Sequence, residues 1–127
     1  MLRGGLIGCG GVTKTHLREW KRVEGAQIVA ACDLNVERAR ERAAEHGIPD
    51  VYRDHHELLE KAGVDFVDIA TPTDSHLPIV RDAAAAGCHV LCQKPIAQTL
   101  EDLDAMDAAC REAGVRFMVN ENYRFQP

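Results

Sequence analysis

The chain has 127 residues, 46% of them apolar but only 5% aromatic, which suffices for one domain whose core is built from Ala, Val, Leu and Ile rather than from large rings. Its formal charge of -5, with no cluster of Lys and Arg, excludes a phosphate-tracking nucleic-acid surface and an anionic-membrane surface, yet leaves room for a small anion held by backbone amides. There is no basic and apolar leader and no apolar run near the ~20 residues of a membrane span, and the five cysteines (Cys9, Cys32, Cys88, Cys92, Cys110) are scattered, so we expect a cytoplasmic protein with reduced core thiols.

The chain repeats one phrase: a short apolar run, a turn, an amphipathic helix and a glycine. Leu6-Ile7 opens it, and a helix follows with Val12, Leu17, Trp20 and Val23 on one side, up to Gly25. Ile28 to Ala31 is a buried strand, and Val36 to His46 is a helix with Ala39 and Ala43 inward, stopped by Gly47. A short third strand at Val51-Tyr52 leads to Asp54, which with Glu57 three residues on marks a helix start, and Gly63 ends that helix. Phe66 to Ala70 is the fourth strand, Ser75 to Ala86 a helix closed by Gly87, and His89 to Cys92 the fifth strand. Thr99 caps a helix running to Ala113, Gly114 ends it, and Val115 to Val119 is the sixth strand. Glycine just past a helix suits a left-handed turn, and five helices carry one.

Strands alternating with helices of this length imply parallel pairing, because a parallel connection needs a crossover. We therefore expect an α/β fold, a doubly wound parallel six-stranded sheet of the Rossmann type in the order 3-2-1-4-5-6, with residues 1–127 forming one dinucleotide-binding domain.

Between the first strand and the first helix stands Gly8-Cys9-Gly10-Gly11-Val12-Thr13. Gly8 and Gly10 fill the first two places of the GxGxxG/A fingerprint, where they make the tight turn and let a pyrophosphate approach the backbone. Thr13 stands in the third place, where its bulk is expected to push the helix out slightly. Asp33 follows the second strand, placed to accept hydrogen bonds from a ribose diol and to repel a 2′-phosphate, which favours NAD over NADP. Leu34 and Arg38 belong to the same end; Arg38 could pack on the adenine or relieve a phosphate.

Three more phrases lie at the carboxyl ends of strands four, five and six: Thr71-Pro72-Thr73-Asp74-Ser75-His76, Gln93-Lys94-Pro95, and Asn120-Glu121-Asn122-Tyr123-Arg124-Phe125. Together with GCGG and ACD they resemble the Gfo/Idh/MocA family, and the resemblance runs over essentially the whole chain. It implies a two-domain NAD(P)-dependent dehydrogenase acting on a sugar, polyol or related hydroxyl compound. It further implies that Lys94 lies beside the nicotinamide and the reacting carbon as the catalytic residue. Gln93 departs from the family's glutamate; it keeps a hydrogen bond to the ribose but removes a negative charge beside Lys94. Thr71 and Pro72 resemble the segment under the ribose and nicotinamide, and His76 is expected at the cofactor end, capping or orienting its helix. Asn122 resembles a cofactor contact, and Tyr123 and Arg124 resemble the substrate border. The family's larger domain, with its acid-base partners and oligomer contacts, is not in this sequence. The chain alone is thus expected to bind NAD(H) weakly, to catalyse nothing at a useful rate, and to self-associate on its strand-five and strand-six side. A non-catalytic NAD-sensing module and a methyltransferase-like protein are the rival readings, the second disfavoured by Lys94-Pro95. His55-His56 and Cys88-x3-Cys92 lack metal-ligand spacing, and no metal is expected.

Overall fold

A computed structural model describes residues 1–120. Six parallel strands form one sheet in the order β3-β2-β1-β4-β5-β6: β1 Leu2–Ile7, β2 Ala26–Cys32, β3 Asp50–Tyr52, β4 Phe66–Ile69, β5 His89–Gln93 and β6 Phe117–Asn120. The reversal of winding falls between β1 and β4, which pair from Gly4↔Phe66 to Ile7↔Ile69. This is the order expected from the sequence.

Helices cover both faces. On one lie α1 (Thr13–Trp20) and α2 (Val36–His46), sealing Leu6, Ile28, Ala31, Phe66 and the inward stripe Ala39 and Ala43. On the other lie α3 (His55–Lys61), α4 (His76–Ala85) and α5 (Leu100–Ala113), sealing Ile7, Val67, Ile69, Val90 and Met106. The small pair Ala83 and Ala84 lets α4 sit close to the strands. Three helices begin on a side chain that accepts a first-turn amide: Asn35 from Arg38, Asp54 from Glu57 and Thr99 from Asp102. Gly47 and Gly114 end α2 and α5 in the left-handed conformation, at φ 69° and 71°.

Two expectations need correction. The first helix stops at Trp20 with Lys21 as its cap, so Val23 lies in a further turn and is exposed, as is Val12; Thr13, His16 and Leu17 form the buried side instead. Gly25, at φ 87°, therefore belongs to the entry into β2 and not to the end of α1. The first strand also starts earlier than Leu6. Gly4 and Gly5 lie inside it because a Cβ at either would run into Phe66 or Leu58 side chains packed on opposite faces. A register shift between them leaves Val29 of β2 as an extra residue, so Val29 and Ala30 both serve the α3 to α5 face.

All five cysteines are free and buried. Burial, with Asp33 nearby, lifts the Cys9 thiol to about 12, and burial with Asp68 nearby does the same for Cys92. Among the described residues no helix is long and apolar enough to cross a membrane.

Candidate cofactor site

At the carboxyl edge of the sheet, beside the reversal point, Gly8 turns the chain out of β1 at φ 95°, its amide donating to Cys32 O at 2.9 Å. A Cβ on Gly8 would stand 2.8 Å from Ala70 O, so only glycine lets the loop pass the end of β4. Gly10 and Gly11 meet the opposite condition, since a Cβ on either would find nothing within 4 Å. The space above them is open to a ligand.

The start of α1 is left without a protein anion. Val12 offers no capping side chain and the first turn carries no acid, in contrast to α2, α3 and α5. The Thr13 and Lys14 amides are taken by Gly10 O and Gly11 O at 3.1 and 3.3 Å, so it is the backbone of Gly10 to Val12 ahead of them, with the helix dipole behind it, that faces solvent where a pyrophosphate would sit. Thr13 is fully buried in the third fingerprint place, and its hydroxyl donates to Gly10 O at 2.6 Å, holding the loop shut from behind.

Asp33 is locked to that loop. Its Oδ2 accepts the Cys9 amide at 2.9 Å and its Oδ1 accepts the Asn35 amide at 2.8 Å. Each oxygen keeps a second lone pair for a ribose hydroxyl. Arg38 lies 3.8 Å from Asp33 Oδ2 and is half exposed, while Leu34 is 85% exposed at the outer rim. These residues, the open glycines and the uncapped helix fit the adenosine and pyrophosphate of a dinucleotide.

Arg42 was not singled out from the sequence. Its buried guanidinium donates through Nη2 to Cys9 O and through Nη1 to Glu45 Oε2, both at 3.0 Å, so α2 grips the loop from beneath. An arginine between Ala39 and Ala43 on the inward stripe was the available sign.

The other end of the edge holds Thr71, Pro72, Gln93 and Lys94, as expected. Ser75 Oγ stands 2.6 Å from both Thr71 Oγ1 and Pro72 O, tightening that turn. His76, expected at the cofactor end, is 1% exposed and turned into the protein. Its Nε2 lies 2.8 Å from Thr71 O and its Nδ1 2.8 Å from Ile96 O, so the ring ties the β4 turn to the segment after Lys94-Pro95. Its place is behind the site rather than on a ligand. Lys94 is partly buried directly after β5. Asn122, Tyr123 and Arg124 lie outside the described residues.

A buried polar group also went unread. Asp68 sits mid-strand in β4 on the α1 side, and its Oδ2 accepts Trp20 Nε1 at 2.8 Å and faces His16 Nδ1 at 3.1 Å. The Asp68 hydrogen bond lifts His16 above its usual range despite burial, which acts the other way; Gln93 adds a smaller upward pull. No well-formed bond joins His16 to Gln93, however, for His16 Nε2, Gln93 Oε1 and Asp68 Oδ1 are all buried without a partner. An acid flanked by Phe66-Val67 and Ile69 was the sign in the sequence.

Comparison with known proteins agrees with this geometry. Residues 2–121 match the model of the Gfo/Idh/MocA oxidoreductase family, NAD-binding Rossmann fold. A D-apiose dehydrogenase of Paraburkholderia graminis is 50% identical over 98% of the chain, which covers 33% of that protein. A myo-inositol 2-dehydrogenase of Thermotoga maritima is 34% identical over 98% of the chain and 37% of its own length. Among solved structures, an oxidoreductase from Agrobacterium radiobacter in complex with NAD+, L-tartaric acid and magnesium superposes with a TM-score of 0.95 at 42% identity, over 98% of this chain and 36% of that one. The chain thus spans about a third of the length of the relatives it matches. With fold, glycine loop and matched sequence in agreement, the chain belongs to the Gfo/Idh/MocA oxidoreductase family and is its NAD-binding Rossmann fold.

Proposed function

We propose that this chain is the cofactor-holding part of an NAD-dependent dehydrogenase that moves hydride between nicotinamide and a hydroxyl carbon of a sugar or polyol. The observation that carries the reading is the bond from the Cys9 amide to Asp33, which sets the ribose-binding carboxylate beside the open amides of the glycine loop. The same carboxylate disfavours a 2′-phosphate, so NAD is preferred to NADP. Bound NAD supplies the hydride acceptor. The chain's own residues orient and charge the site: Gly10, Gly11 and Val12 hold the pyrophosphate, Thr71 and Pro72 support the nicotinamide end, and Gln93 bonds the ribose. Lys94 donates a hydrogen bond to the substrate oxygen and steadies its developing negative charge as the hydride passes to the nicotinamide and the hydroxyl proton to water or a general base. By the family resemblance of their motif alone, Asn122 is assigned to the cofactor and Tyr123 and Arg124 to the substrate.

The relatives named for D-apiose and myo-inositol support a polyhydroxylated substrate. Exposed Met118 and Val119 on β6 support self-association at that edge, to be read by light scattering. The test of function uses the full-length gene product with NAD and a panel including D-apiose and myo-inositol. Lys94→Ala should lower kcat/KM by roughly 10²-fold or more with NAD affinity nearly kept. Unchanged turnover would remove Lys94 from the chemistry, and no turnover of any panel member by the parent would remove the dehydrogenase reading.

A further inference from the structure

Three ligating side chains that the cofactor site does not use converge between α3 and α4. His55 and His56 open α3, and Asp82 lies 27 residues later in the middle of α4. Neighbouring residues on a helix do not face each other. Yet His55 Nε2 at 2.8 Å and His56 Nε2 at 3.0 Å reach the same oxygen, Asp82 Oδ2, with ring centroids 4.1 Å apart. One ligand atom from each of the three residues lies within 4.8 Å of the other two.

We propose that His55, His56 and Asp82 form a site for one divalent transition ion of the zinc type, clipping α3 to α4. Two imidazole nitrogens and one carboxylate oxygen are a donor set that zinc, cobalt and nickel accept. Bonds of about 2.0–2.1 Å at tetrahedral angles place ligand atoms about 3.4 Å apart, so the two N to O separations widen by only about half an ångström. His56, 70% exposed, has the freedom to make that adjustment, and its exposure leaves a fourth position open to water. Asp54 Oδ1 stands 3.9 Å from His56 Nδ1, beyond hydrogen-bond reach but on the far side of the same ring, and it accepts the Glu57 amide at 2.9 Å. The competing soft ligands, the five thiols, are all buried.

The test is titration of the 127-residue chain with Zn2+ by calorimetry and with Co2+ by visible absorption. One ion should bind per chain with micromolar affinity or better, raise the melting temperature, and be removed by EDTA. His56→Ala and Asp82→Asn, both at solvent-accessible positions, should each weaken binding at least tenfold and abolish the rise in melting temperature. The Co2+ spectrum should lack the near-ultraviolet thiolate charge-transfer band. Absence of one-to-one binding, equal affinity in parent and both variants, or a thiolate band would each overturn the assignment.

Discussion

Replacing Gly8 and Gly10 separately by alanine divides the glycine loop's work into folding and binding. At Gly8 the backbone has φ 95°, where a side-chain-bearing residue costs about 1–3 kcal/mol, and the new methyl would stand 2.8 Å from Ala70 O, a backbone atom that cannot swing away. Overpacking of that kind adds about 1–3 kcal/mol, and the stiffer unfolded chain offsets up to about 1 kcal/mol of the total. The net loss is about 1–5 kcal/mol, a fall in melting temperature on the order of 10 °C for a domain of this size. At Gly10 the backbone is ordinary and a Cβ meets nothing within 4 Å, so Gly10→Ala should melt within a few degrees of the parent. The same methyl would occupy the space kept for the pyrophosphate and should weaken NAD at least tenfold, about 1.4 kcal/mol. Circular dichroism melts and NAD calorimetry on both variants read the two effects. A Gly8→Ala protein as stable as the parent, or a Gly10→Ala protein with the parent's NAD affinity, would refute the reasoning.

Asp33→Ala should weaken NAD by roughly tenfold and narrow its advantage over NADP, since the ribose loses its acceptor and the 2′-phosphate its repulsion; calorimetry with both dinucleotides checks it. The His16–Asp68 pair should make stability pH-dependent with a known sign. Because His16 is lifted above 6.5 in the folded state, its contribution is full below 6.5 and is lost as pH rises through the lifted value. Asp68→Asn should cost about 3 kcal/mol or more and flatten that slope in urea melts taken across the same range. Cys9 and Cys92, with thiols near 12, should resist iodoacetamide at neutral pH in the folded protein and react on unfolding, as mass spectrometry would record.

The strand order was legible because each apolar run is separated from the next by a helix long enough only for a crossover, and the caps Asp54 and Thr99 carry their own local chemistry. What escaped depended on contacts distant in sequence. The apolar run starts only at Leu6, yet Gly4 and Gly5 are already strand residues, kept small by Phe66 and Leu58. Val23 shares the period of Leu17 and Trp20, yet α1 ends before reaching it. In the site, Gly8, Gly10 and Asp33 announced themselves by spacing. Arg42 and Asp68 did not, because a charge on an apolar stripe acquires a meaning only when its partner is known: Cys9 O 33 residues away for one, Trp20 and His16 for the other. His76 was placed at the correct end of the sheet, but its partner Ile96, 20 residues on, turns it inward.

The central claim is that a dinucleotide lies along the carboxyl edge of this sheet, from Asp33 over the glycine loop to Lys94. Backbone amide shifts followed by NMR during NAD+ titration of the chain test it most directly. The account predicts saturable changes concentrated at Gly8 to Val12, Asp33 and Leu34, Thr71, and Gln93 to Lys94. The contrary result is a chain whose shifts do not move, or move instead around a cavity of about 440 Å³ lined by Met1, Trp20, Gln27 and His46 at the opposite edge of the sheet.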